Sequence, residues 1–120
     1  MKITNIKADR ALNALGALNG FKFSSEATWK IAAVMVELED ALRPYYRLRD
    51  RKIAEISNGK GSIDPAAEPD KASAFTQFMG EMNDKTITIN ASQIDRSMLS
   101  LDENQIPLAV VVGLMPLMAA

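Results

Sequence analysis

The chain has 120 residues, of which 48% are hydrophobic and 24% charged, with a formal net charge of −1. That is the size of one ordinary domain and too apolar for intrinsic disorder, so a single domain over residues 1–120 is expected. Cysteine and histidine are both absent, which excludes disulfides, thiolate nucleophiles, histidine triads, haem ligation through histidine and zinc sites built on either residue. Carboxylate pairs can still run glycoside or metal chemistry unaided, but the usual general base is gone. The expectation is therefore a protein that is not an enzyme and takes no metal or cofactor.

Met1-Lys2-Ile3-Thr4-Asn5 lacks the apolar stretch of a secretory signal, and Ile3 and Ile6 suggest a short edge strand over residues 1–6. Ala11, Leu12, Leu15 and Leu18 recur at helical spacing and predict a helix from Lys7 to Asn19, with Gly20 as a left-handed terminator. Phe21 and Phe23 alternate with Lys22 as an extended connector. Ser24 or Ser25 is a good N-cap, and Glu26 places a carboxylate in the first turn. The helix that follows runs to about Ile56. Ile31, Met35, Leu38, Leu42 and Tyr45 form its seam, close to a heptad pattern over two repeats. Trp29, Ala32, Val34 and Val36 widen the apolar face, so burial on more than one side is expected. Pro44 falls inside this helix and removes the hydrogen bond to the Asp40 carbonyl, which predicts a kink near Ala41–Arg43 or two helices with a tight joint; the periodicity that continues to Ile56 favours the kink.

Ser57-Asn58-Gly59-Lys60-Gly61-Ser62 is a stop signal. Phe75, Phe78, Met79 and Met82 predict a helix from Pro69 to about Met82 that lays one stripe on the long helix. Lys85 to Asn90 alternates polar and β-branched residues, the clearest strand in the chain. Residues 91–104 are ambiguous, with Ile94, Met98, Leu99 and Leu101 partly buried. Pro107 fits the first position of a last helix, Leu108 to about Leu117. The apolar run from Ile106 to Ala120 is shorter than the ~20 residues a membrane-crossing helix needs, so it reads as a buried C-terminal helix. The fold class is α+β, mainly α: a long kinked helix packed with two or three shorter helices and a small β element.

Three patterns resemble chemistry and dissolve on spacing. Glu37 and Asp40 share a helix face, but the facing repeat and the histidine of a di-metal bundle are missing. Asp64, Glu68 and Asp70 lack calcium-loop spacing, and Gly59-Lys60-Gly61-Ser62 lacks the upstream glycine of a phosphate loop. The most unusual stretch is Arg43-Pro44-Tyr45-Tyr46-Arg47-Leu48-Arg49-Asp50-Arg51-Lys52. Its bland account is a solvated ladder, since Glu39, Arg43, Arg47, Arg51 and Glu55 fall at successive i+4 steps. One functional account is a nucleic-acid contact, with arginines on phosphates and tyrosines stacking on bases. Another is a patch that docks an acidic protein partner, because Arg and Tyr are enriched at binding hot spots.

The order of elements resembles the small bacteriophage proteins grouped as domain-of-unknown-function family 1617. The features that carry the resemblance are Ala11-Leu12-Asn13-Ala14-Leu15, then Trp29-Lys30-Ile31-Ala32 continuing to Leu38-Glu39-Asp40-Ala41-Leu42. They are followed by the alternating strand at Thr86–Ile89 and by Leu114-Met115-Pro116-Leu117-Met118. The resemblance implies a phage origin and transfers no site residues. The functional expectation is a phage-type accessory or assembly protein in the host cytoplasm or on the virion, with no role at the membrane. It binds a virion component, or a host or defence enzyme that it inhibits, through Tyr45, Tyr46, Arg47, Arg49 and Arg51. Nucleic-acid binding through Arg43–Lys52 is the alternative, and pairing of the long seam with a second copy of the chain stays open.

Overall fold

The computed structural model describes residues 1–90, 94–100 and 104–118. In chain order it holds strand β1 (Lys2–Thr4), helix α1 (Asn5–Ala17), helix α2 (Ser25–Ile56), helix α3 (Pro69–Asn83), strand β2 (Thr86–Thr88) and helix α4 (Leu108–Leu114). This is the expected α+β architecture, mainly α.

The strands pair antiparallel, with Lys2 opposite Thr88, Ile3 opposite Ile87 and Thr4 opposite Thr86. A two-stranded ribbon is marginal alone; here Ile3 and Ile89 sink into the core beneath it. Thr4 caps α1 by accepting from the Lys7 amide at 3.4 Å. Asn5 then ties the start of α1 to the end of α3: its amide donates to the Lys85 carbonyl at 2.8 Å and its Nδ2 to the Met82 carbonyl at 2.9 Å. The expected stop at Gly20 takes a different form. α1 tightens into a 3₁₀ turn over Leu18–Gly20, and the glycines with positive φ among the described residues are Gly59 (85°) and Gly61 (77°), in the loop after α2.

Ser24 caps α2, its Oγ accepting from the Ala27 amide at 3.1 Å. The helix continues as one element through Pro44. Pro44 is exposed, so the Asp40 carbonyl that it leaves without an amide donor opens towards water, where hydration offsets part of the cost. The longest dimension of the molecule is 48 Å, the span of 32 helical residues at ~1.5 Å each.

The expectation that α2 is buried on more than one side is corrected. Ala27, Ile31, Val34, Leu38, Leu42 and Tyr45 are buried, whereas Trp29 is 79% and Val36 57% exposed and Ala32 is exposed too. At about 100° per residue, Trp29 and Val36 lie roughly opposite Ile31, Leu38 and Leu42. Among the described residues no element covers them. α3 uses its Phe75, Phe78, Met79 and Met82 only half-buried, with Lys52 Nζ standing 5.2 Å from the Phe78 ring centroid.

α4 lies against α1 at the Gly113 contact. A Cβ on Gly113 would stand 2.9 Å from the Ala14 Cβ and 3.3 Å from the Arg10 carbonyl oxygen, so the helices meet backbone to backbone. Pro107 sits at the N-cap of α4, one position before the expected one. The reading of a buried C-terminal helix is also corrected: Leu114 and Leu117 are in the core, but Leu108 is 77% exposed and Val112 and Met115 are exposed as well. Ile94 and Leu99 are fully buried, while Leu101 lies outside the described residues. Asn104 staples this region to the connector before α2. Its Oδ1 accepts from the Lys22 amide at 3.2 Å, and its Nδ2 donates to the Lys22 carbonyl at 2.7 Å and the Leu99 carbonyl at 3.2 Å.

The helix contact gives a paired prediction. Gly113→Ala lowers unfolding free energy by about 1–3 kcal/mol through overpacking. Gly80→Ala, in α3 with nothing within 4 Å of a new Cβ, raises it by about 0.5–1 kcal/mol through helix propensity. Urea unfolding of both variants measures the two signs.

Candidate functional site

The stretch Arg43–Lys52 occupies the C-terminal half of α2, and a helix distributes ten consecutive residues around its whole circumference. The five candidate side chains therefore do not share a surface. Tyr45 points inward: it is 7% exposed, and its hydroxyl donates to Asn83 Oδ1 at the end of α3. Tyr46 is half-buried, and its hydroxyl donates to Asp9 Oδ1 of α1 at 2.5 Å. The two rings pack with centroids 5.5 Å apart at 56°. Arg49 covers the outer edge of this pair, its guanidinium 4.9 Å from the Tyr46 centroid and its Nε 3.2 Å from Asp50 Oδ1. Tyr45 and Tyr46 are thus clamps that hold α2 to α3 and to α1, with their polar ends engaged.

Arg47 and Arg51 face the other way. Both are exposed, and neither makes a salt bridge among the described residues. The expected ladder is not the one that forms. Arg43 pairs with Asp40 at 2.7 Å instead of Glu39, and Glu55 receives Lys52 at 3.7 Å instead of Arg51. Such exposed pairs contribute well under ~1 kcal/mol. Arg43, Arg47, Asp40, Pro44 and Leu48 line a shallow depression of about 420 Å³.

Sequence reasoning missed the other half of this face. At about 100° per residue, Trp29, Val36, Asp40, Arg43, Arg47 and Arg51 all fall within roughly 40° of one line along α2. The line is apolar from Trp29 to Val36 and cationic from Arg43 to Arg51. The signal was available, because Trp29 stands two residues, or about 200°, from seam residue Ile31. Beside the apolar half lies a groove of about 440 Å³ lined by Phe21, Phe23, Ile31, Ala32 and Met35, with Asn19 and Thr28 as polar members.

The carboxylates do not assemble. Glu37 accepts from the Asn90 amide, Asp40 holds Arg43, and no cluster of three metal-ligating side chains exists among the described residues. Among the described residues, no helix is long and apolar enough to cross a membrane.

Both phenols are pushed above the ordinary value of 10.0. Burial is the main cause for each. For Tyr46 the hydrogen bond to the Asp9 carboxylate and its charge add to this, since both favour the neutral phenol, while Arg49 opposes them. A group whose folded pKa is raised contributes stability that is complete below its unfolded value and is lost as pH climbs through its folded one. Stability conferred by this pair therefore holds up to about pH 10 and declines above it. These are the chain's two tyrosines, so tyrosinate absorbance reads them directly: little ionisation at the ordinary phenol pKa when folded, and a normal titration in denaturant. Tyr46→Phe costs about 1 kcal/mol by urea unfolding.

Comparison of the chain with protein-family models, curated proteins and solved structures gives no match.

Proposed function

We propose that this chain works without catalysis, as a phage-type accessory or assembly protein that binds another protein through the solvent face of α2. The observation that carries the reading is Trp29. It is the chain's one tryptophan, 79% exposed, on the side of α2 opposite the core. Isolated exposed apolar residues are ordinary. Here Trp29 adjoins Ala32 and Val36 and is continuous with Arg43, Arg47 and Arg51, and tryptophan and arginine are the residue types that dominate binding hot spots. The partner is a virion component, or a host or defence enzyme that the chain inhibits, in the host cytoplasm or on the virion; the family resemblance supports this part of the reading.

The nucleic-acid alternative is weaker. Its stacking residues, Tyr45 and Tyr46, are held by Asn83 and Asp9, which leaves a short row of arginines on a chain of net charge −1. Phosphate contacts alone give weak, salt-sensitive binding.

Affinity capture against phage structural proteins and host lysate tests the site. Trp29→Ser and the double variant Arg47→Glu/Arg51→Glu each lose at least ~10-fold of captured partner, about 1.4 kcal/mol, while unfolding free energies stay within ~0.5 kcal/mol because neither touches the core. Retention of every partner by both variants contradicts the assignment.

A further inference from the structure

The partner of this face can be named by its chemistry, an inference that rests on the proposed function. We propose that α2 receives an amphipathic acidic helix of another protein, whose bulky apolar residues seat on Trp29, Val36 and the Phe21–Met35 groove and whose carboxylates meet Arg47 and Arg51.

Three observations converge. The first is the order along the line. The apolar half from Trp29 to Val36 and the arginines from Arg43 to Arg51 occupy different turns of one continuous helix, so the partner must carry its apolar and charged groups on one face in the same order. The arginines rise by four residues each, about 6 Å along the axis, which matches carboxylates one turn apart on a facing helix. The second is charge. Arg47 and Arg51 make no ion pair among the described residues, and their guanidinium forks suit carboxylates. The third is the backbone. α2 is hydrogen-bonded within itself along its exposed face, apart from the gap at Pro44, and offers no strand edge to an extended peptide. Recognition is left to side chains, and a helix laid along a helix ridge is the mode that engages a line of this length.

A second copy of the chain fits less well. An antiparallel pair centred between Asp40 and Arg43 lays Arg47 and Arg51 over Val36 and Ala32, where no carboxylate waits. A parallel pair sets arginine against arginine.

The test uses the full chain and three labelled synthetic helical peptides read by fluorescence anisotropy. The first carries leucines on one half of a face and glutamates at every fourth position on the other half. The second replaces the glutamates by lysines, and the third replaces the leucines by serines. The first binds at least ~10-fold tighter than either of the others, and its advantage over the lysine peptide shrinks as salt rises. Arg47→Glu/Arg51→Glu reverses the preference between glutamate and lysine, and Trp29→Ser weakens both. Circular dichroism confirms that each variant is folded. Equal binding of the glutamate and lysine peptides overturns the acidic partner while leaving the α2 face as a docking site. Binding of none of them, together with unchanged protein capture by the variants, removes the face itself. A concentration-dependent dimer in light scattering that Trp29→Ser abolishes assigns the face to a second copy, and a salt-sensitive shift of DNA or RNA lost with the arginines assigns it to nucleic acid; either overturns the proposal.

Discussion

A 32-residue helix with a single buried stripe is the constraint from which the rest of this molecule follows. Ile31, Val34, Leu38, Leu42 and Tyr45 give α2 one line of contact with the core. Among the described residues, α1, α3, α4 and a two-stranded ribbon are the main elements placed against it. Those elements fit on one side. α1 packs along the stripe, α4 stacks on α1 through Gly113, and α3 closes the flank beside Tyr45. Among the described residues no further segment covers the opposite face of α2, so whatever the sequence placed there is presented to the surroundings over nearly 48 Å.

The side chains at the edges of the stripe explain how so narrow a contact stays fixed. Hydrophobic burial along one helix face tolerates rotation and sliding, because it is not directional. Tyr45 and Tyr46 add direction. Adjacent in sequence, they diverge by about 100° around the helix, so one reaches Asn83 of α3 and the other Asp9 of α1. Asn5, the first residue of α1, ties that helix to α3 by holding the Met82 carbonyl. Polar groups placed at the rim of an apolar seam set the rotation of α2, and that rotation decides that Trp29 and Arg47 face outward together.

Much of this was legible in the chain. The order of the main helices, a cap at Ser24 or Ser25, the start of α3 near Pro69 and extended segments within residues 1–6 and 85–90 all follow from local spacing and turn chemistry. What was not legible depends on partners far apart in sequence. Trp29 and Val36 looked like core because they are apolar and neighbour a good seam, although their angular position already set them against it. Tyr45 was legible as a seam residue, but it and Tyr46 were also read as a docking surface because they sit among arginines. Their hydroxyls are consumed by residues 38 and 37 positions away, which spacing within α2 does not reveal. Burial of the C-terminal apolar run was overstated for a related reason. A chain of this size has more apolar side chains than its core has room for, and Leu108, Val112 and Met115 are the remainder.

The central claim is that the outer face of α2 is open to water in the isolated chain, and Trp29 reports on it without labelling. Acrylamide quenching of its fluorescence, in dilute native protein and again in urea, is the most direct measurement. An exposed indole emits at the red end of the tryptophan range in both states and is quenched almost as readily when folded as when unfolded. A blue-shifted native emission that acrylamide barely reaches would place Trp29 inside the fold, and the docking face with it.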